Sequence, residues 1–164
     1  VLFRSETLFF DYHRQHGVNI KIARIFNTYG PNMALNDGRV ISNFITQALN
    51  NNPITIYGDG SQTRTFCYVD DNINACLKIF EDNHMINDVI NIGGAKEYKI
   101  FDVAKTIISL TGSSSKIIHL PPLPEGDMTR RMPDNSKMLN ILNKQLISLE
   151  DGVKMMMDHP DFNT

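Results

Sequence analysis

Val18-Asn19-Ile20-Lys21-Ile22-Ala23-Arg24-Ile25-Phe26-Asn27, followed at once by Thr28-Tyr29-Gly30-Pro31, is the stretch on which the fold turns. Val18, Ile20 and Ile22 alternate with Asn19 and Lys21, which is the period-two spacing of a strand, and Ala23 to Phe26 continue it. Gly30-Pro31 then breaks the chain into a loop lasting to about Gly38, because proline brings no N–H to a ladder. Upstream, residues 6–16 carry Leu8, Phe9 and Tyr12 at helical spacing, and Gly17 supplies the stop. Downstream, Val40, Phe44, Ala48 and Leu49 form a second helical stripe, closed by Asn50-Asn51-Asn52-Pro53. A strand between two helices is the start of an α/β alternation.

The alternation continues along the chain. Residues 54–57 read as a short strand, Gly58-Asp59-Gly60-Ser61 as a turn, and residues 65–69 as another strand. Asp70 or Asp71 is placed to cap a helix bearing Ile73, Leu77 and Phe80. A strand at 89–92 stops at Gly93-Gly94, and a helix over 101–110 turns Val103, Ala104, Ile107 and Ile108 inward before Gly112. A strand at 116–120, a proline-rich loop at 121–134 and short helices at 136–142 and 149–159 complete the reading. Short elements on long loops suit a lid-like subdomain attached to a larger sheet. No capping residue precedes the helix at residue 6. The expectation is therefore that this helix begins upstream, with residues 1–5 open to being a foreign remnant and residues 6–164 the protein proper.

Composition narrows the partners. Sixteen Lys and Arg against 18 Asp and Glu leave a charge of −2 over 164 residues, which argues against nonspecific nucleic-acid binding. No run approaches the roughly 20 apolar residues of a membrane span. Cys67 and Cys76 are the only cysteines; without a Cys-x-x-Cys pairing they suit a reducing cytoplasm. His13 and His16 share a helical face, but no carboxylate or Cys cluster completes a metal site, and solvated surface histidines are the expectation.

Three polar segments interrupt the pattern, and a fourth lies near the end. Phe26-Asn27-Thr28-Tyr29-Gly30-Pro31 stands at the carboxyl end of a strand, where open α/β sheets place ligands, although a plain strand and turn has the same form. Asn36-Asp37-Gly38-Arg39, followed by Ser42-Asn43-Phe44, opens a helix whose N-terminal N–H groups suit a phosphate. Arg39 is a cation set against its own helix dipole, paired either with an anion or simply with Asp37. Tyr57-Gly58-Asp59-Gly60-Ser61-Gln62-Thr63-Arg64-Thr65-Phe66 joins a hairpin-like turn to an arginine between aromatic residues, which can stack on a base while the guanidinium forks onto phosphate. Arg130 and Arg131 follow in the loop Asp127-Met128-Thr129-Arg130-Arg131-Met132-Pro133-Asp134. If these arginine regions converge they clamp a diphosphate.

Taken in order, these segments closely resemble the UDP-glucuronate decarboxylases (UDP-xylose synthases), extended short-chain dehydrogenases/reductases acting on nucleotide sugars. The resemblance spans about residues 6–158. It implies the C-terminal part of an NAD(P)-binding Rossmann-like α/β fold with the smaller substrate-binding subdomain. By position it implies that Asn27, Ile41, Ser42, Asn43, Phe44, Ile45, Tyr57, Gln62 and Arg64 contact the UDP-sugar. Thr28 and Arg39 would lie on the side of NAD, and Arg131 would meet the reacting end as an orienting, electrostatic group. The family reaction oxidises the sugar at C4, loses CO2 from the resulting β-keto acid and returns the hydride, so NAD is recycled. A homodimer and a cytoplasmic setting are further implications.

Departures from the family pattern accompany the matches. No Gly-x-x-Gly-x-x-Gly follows a strand, no Tyr-x-x-x-Lys precedes Glu6, and Asn140-Ile141-Leu142-Asn143-Lys144 replaces the usual Gly-Trp-x-Pro. The chain alone is therefore expected to be inactive. Two other readings stay open: a dTDP-glucose 4,6-dehydratase-like or epimerase relative, and a non-catalytic UDP-sugar-binding module.

Overall fold

A computed structural model describes residues 2–34, 38–123 and 128–162 of the chain. Helix α1 (Leu2–His16) leads into strand β1 (Lys21–Ile25) and the two-residue β2 (Thr28–Tyr29), then α2 (Val40–Leu49) and β3 (Ile54–Tyr57). Short strands β4 (Thr63–Thr65) and β5 (Cys67–Tyr68) run into α3 (Val69–Glu81), which a single 3-10 turn (Asn83–Met85) connects to β6 (Asp88–Ile92). Strand β7 (Glu97–Lys99), α4 (Ile100–Thr111), β8 (Ile117–Leu120), β9 (Arg130–Arg131), α5 (Ser136–Leu142) and α6 (Leu149–Met157) follow.

Parallel pairing dominates, as the helix–strand alternation requires. β1 pairs with β6 from Lys21 opposite Asp88 to Ile25 opposite Ile92. β2 pairs with β5 and β3 with β8, also in parallel. β4 lies between β7, antiparallel, and β9, parallel. One apolar core joins α2, α4 and α6 to β3 through Phe44, Ile45, Ile54, Ile56, Val103, Ile107 and Val153. A second joins β6 to α3 and α5 through Ile79, Ile90, Ile92, Met138 and Leu142. Among the described residues, no helix is long and apolar enough to cross a membrane, and no group of three or more His, Cys, Asp or Glu is placed to hold a metal.

The structure departs from the sequence reading in several places, each with a physical reason. β1 begins at Lys21 instead of residue 18, while α1 runs back through residues 2–5, in line with a helix that starts before residue 6. The expected strand over 65–69 is split at Phe66 into β4 and β5, which pair with different neighbours. β2, β7 and β9 are only two or three residues long, too short to carry a period; their partners create them. The cap of α3 is also different. Tyr68 occupies the N-cap without a side-chain bond, while Asp70 and Asp71 lie inside the first turn.

The inward face of α3 opens with two polar residues, Asp71 and Asn72, ahead of the apolar Ala75 and Ile79. Asp71 is fully buried, takes an ion pair from Lys144 Nζ at 2.6 Å and accepts from Ile147 N at 2.7 Å. Asn72 Nδ2 donates to Thr28 Oγ1 at 2.7 Å. Ile73, Leu77 and Phe80 consequently point to solvent, with Phe80 79% exposed. Phe9 is exposed as well, whereas Ile22 is buried.

Candidate functional site

A cavity of about 750 Å³ opens where β1 and β2 end and α2 begins. Its floor is the segment Phe26-Asn27-Thr28, and its apolar walls are Met33, Ile41 and Phe66. The floor is built by backbone bonds: Phe26 N donates to Ile92 O at 2.8 Å, and Asn27 O accepts from Cys67 N at 2.9 Å. Asn27 Nδ2 donates to Thr65 O at 3.3 Å, and Thr28 Oγ1 donates to Phe26 O at 3.0 Å. These bonds fix both side chains in the floor.

Four arginines line this one space: Arg24, Arg39, Arg64 and Arg131. Arg64 on β4 stands in register with Arg131 on β9. Like charges directly across a strand pair repel, so the pairing gains by an anion between them. Arg64 Nη1 donates to Thr63 O at 2.7 Å. Arg39 is the N-cap residue of α2, extended at φ −83° and ψ 147°, and the first turn of that helix contains no acidic residue. The positive end of the helix dipole and a cationic residue thus fall together at the start of α2, beside the cavity. Arg24 is different, being forked by Glu6 of α1 at 2.7 and 2.6 Å. That hydrogen bond holds the Glu6 carboxyl below the usual carboxylate range.

Tyr29 is buried, donates to Ser148 O at 3.2 Å and packs edge-on against Phe66 and Tyr68. Burial drives its phenol well above the ordinary tyrosine value. Apart from Tyr29 and the arginines, no titratable side chain is present among the described residues lining the cavity.

Of the residues singled out in the sequence, Asn27, Thr28, Arg39, Ile41, Arg64 and Arg131 line the cavity. Ser42, Asn43, Phe44, Ile45, Tyr57 and Gln62 do not. Ser42 is buried and donates to Arg39 O at 3.2 Å, while Phe44 and Ile45 belong to the core because helical spacing turns them inward. Asn43 is half-buried on the next face. Gln62 Nε2 donates to Tyr57 O at 3.1 Å, and the Tyr57 ring is half exposed outside the cavity. Asn36 and Asp37, and residues 124–127, lie outside the described residues. Phe66, singled out beside Arg64 as an aromatic able to stack on a base, lines the cavity, whereas sequence reasoning missed Arg24. The only signal for Arg24 was a charge inside an apolar strand, and its partner Glu6 is 18 positions away.

Comparison with known proteins places the chain among relatives of known family. Residues 3–93 match the model of the NAD dependent epimerase/dehydratase family. The chain is similar to UDP-glucuronic acid decarboxylase 3 of Arabidopsis thaliana, 44% identical over 153 residues, covering 93% of this chain and 44% of that protein. It is likewise similar to UDP-glucuronic acid decarboxylase 1 of Danio rerio, 41% identical over 156 residues, with 94% and 37% covered. The chain thus spans less than half the length of these relatives. Among solved structures, UDP-glucuronic acid 4-epimerase from Bacillus cereus in complex with UDP-glucuronic acid and NAD matches with a TM-score of 0.82 at 34% identity, covering 93% of this chain and 48% of that one. UDP-glucose 4-epimerase from Thermotoga maritima with UDP-glucose matches with a TM-score of 0.88 at 26% identity, covering 98% and 51%.

Proposed function

The chain belongs to the NAD dependent epimerase/dehydratase family, and we propose that it forms the nucleotide-sugar-binding part of a UDP-glucuronate decarboxylase that makes UDP-xylose and CO2. One observation carries the reading: Arg64 and Arg131 stand in register on adjacent strands and line the same cavity. Arg64 forks onto the diphosphate, where charge-assisted bonds are about twice as strong as neutral ones. Arg131 orients the anionic end of the sugar and stabilises charge that develops there; its guanidinium is too basic to act as an acid. Asn27 meets the sugar hydroxyls. The polar groups of Thr28 and Arg39 suit the hydroxyls and phosphates of NAD, which when bound takes up a hydride and gives it back. The roles of Ser42, Asn43, Phe44 and Ile45 are confined to holding Arg39 and Ile41 in place, and Tyr57 with Gln62 borders the base from outside the cavity.

Two broader assignments belong to the same reading. Exposed Leu8, Phe9 and Tyr12 on α1 support pairing of two copies in the intact enzyme. Two unpaired cysteines support a reducing, cytoplasmic setting. A second reading, 4-epimerisation of UDP-glucuronate, is favoured by the likeness to the Bacillus cereus epimerase. Release of CO2 from UDP-glucuronate by the intact enzyme separates the two. Calorimetric titration of the chain with UDP tests the site itself. Arg64→Ala is expected to weaken binding by about 1.5–3 kcal/mol, the range for a hydrogen bond to a charged group. Arg130→Ala, whose guanidinium is engaged by Glu97, should leave it unchanged. Equal affinities for Arg64→Ala and the unaltered chain would remove Arg64 from the site.

A further inference from the structure

Two methionine thioethers flank the adjacent arginines of β9. Arg131 Nη2 lies 3.9 Å from Met128 Sδ, and Arg130 Nη2 lies 3.4 Å from Met132 Sδ. Both methionines are about half exposed, at 49% and 46%, so a small dissolved oxidant reaches either sulfur. The two arginines are held differently. Arg130 is forked by the Glu97 carboxylate at 2.9 and 3.0 Å and does not line the cavity. Arg131 lines the cavity, and its neighbour on this side is a thioether, a weak acceptor.

We propose that Met128 is a sulfoxidation site through which a peroxide draws Arg131 away from the anion in the cavity. The sulfur lone pair attacks one peroxide oxygen, the O–O bond breaks, an S=O bond forms and water leaves. Sulfur is oxidised by two electrons and the peroxide is reduced by two. Methionine sulfoxide reductases reverse the step. The sulfoxide oxygen is a strong dipolar acceptor where the thioether was a feeble one, so the guanidinium gains a rival partner three residues away. A ligand anion then has to displace it. The same change at Met132 has little effect, because Arg130 already bonds to a charged carboxylate, the stronger acceptor. Met155, 42% exposed on α6, is an oxidisable control far along the chain.

The proposal rests on the reading that Arg131 meets an anionic ligand, and its test separates the two. Chains treated with hydrogen peroxide, with sulfoxide at each methionine quantified by peptide mass spectrometry, are titrated with UDP-glucuronate. Oxidation is expected to weaken binding about five- to tenfold in the unaltered chain and in Met132→Leu, the scale of one charge-assisted bond contested. Met128→Leu should keep its affinity after the same treatment, and reductase should restore the unaltered chain. An equal loss in Met128→Leu overturns the proposal. Guanidinium NMR signals, assigned with Arg131→Lys, give a second readout that needs no ligand. Oxidation should shift Arg131 and leave Arg130 in place; an unmoved Arg131 also overturns the proposal. A chain in which Arg131 shifts but UDP-glucuronate never binds overturns the functional reading and, with it, the step at the anion.

Discussion

Arginine at four positions of one cavity does two different things. At Arg24 the fork onto Glu6 joins α1 to β1, whereas Arg64 and Arg131 stand in register on neighbouring strands and line the same cavity. Residue type was readable in the sequence; the partner that decides its use was not. Cysteine shows the same dependence on surroundings. Cys67 is 2% exposed, and burial, followed by the nearby Asp71 carboxylate, pushes its thiol up to about 12. Since the thiolate is the nucleophile, iodoacetamide near pH 8 is expected to leave Cys67 unlabelled in the folded chain and to label it in denaturant. Peptide mass spectrometry reads the outcome, and equal labelling in both states would contradict the burial.

At the scale of elements, close approach decides where α6 sits. Gly152 lies on its inward face, and a Cβ there would fall 2.8 Å from both Tyr29 Cζ and Tyr68 Cδ2, with the Tyr29 hydroxyl nearer still. Alanine is favoured over glycine within a helix by up to about 1 kcal/mol, but overpacking a core costs about 1–3 kcal/mol. The crowding wins because the Tyr29 hydroxyl is anchored on Ser148 O. Gly152→Ala is therefore expected to lower stability in urea unfolding by about 1–3 kcal/mol; an unchanged or raised midpoint would place α6 further from Tyr29. Helices α2 and α4 were legible as elements because ten and twelve residues carry a clear 3.6-residue period. Gly112, left-handed at φ +63°, marked the end of α4. The strands β2, β7 and β9 were not legible, since two or three residues define no period and exist as strands only through their partners.

Across the whole molecule, ion pairs join segments far apart in sequence: Glu6 with Arg24, Glu97 with Arg130, and Asp88 with Lys137. In each, the hydrogen bond from the basic partner holds the carboxyl below its ordinary range. A carboxyl depressed in the folded state binds fewer protons there than in the unfolded chain. Its contribution is complete above the ordinary carboxylate range and is lost as pH falls through the lowered folded values. The melting temperature followed by circular dichroism is expected to fall as pH drops below about 4.5. Glu97→Gln should flatten part of that slope, modestly, because the basic partner of each pair is solvent-exposed. A melting temperature independent of pH across this range would mean that the pairs contribute nothing.

Order along the chain was enough for the α/β alternation, the main helices, and the polar segments at strand ends, because periodicity and turn chemistry are local. Convergence was not local. Ser42 to Ile45 looked like a binding run, yet packing turned Phe44 and Ile45 into the core and left Ile41 to face the cavity. Ile73, Leu77 and Phe80 looked like a core stripe, yet the buried Asp71 and Asn72 bonds set the opposite face inward. Which guanidinium groups share a space, and which are already held by a carboxylate, depends on distances between residues tens of positions apart, and only the folded chain sets those.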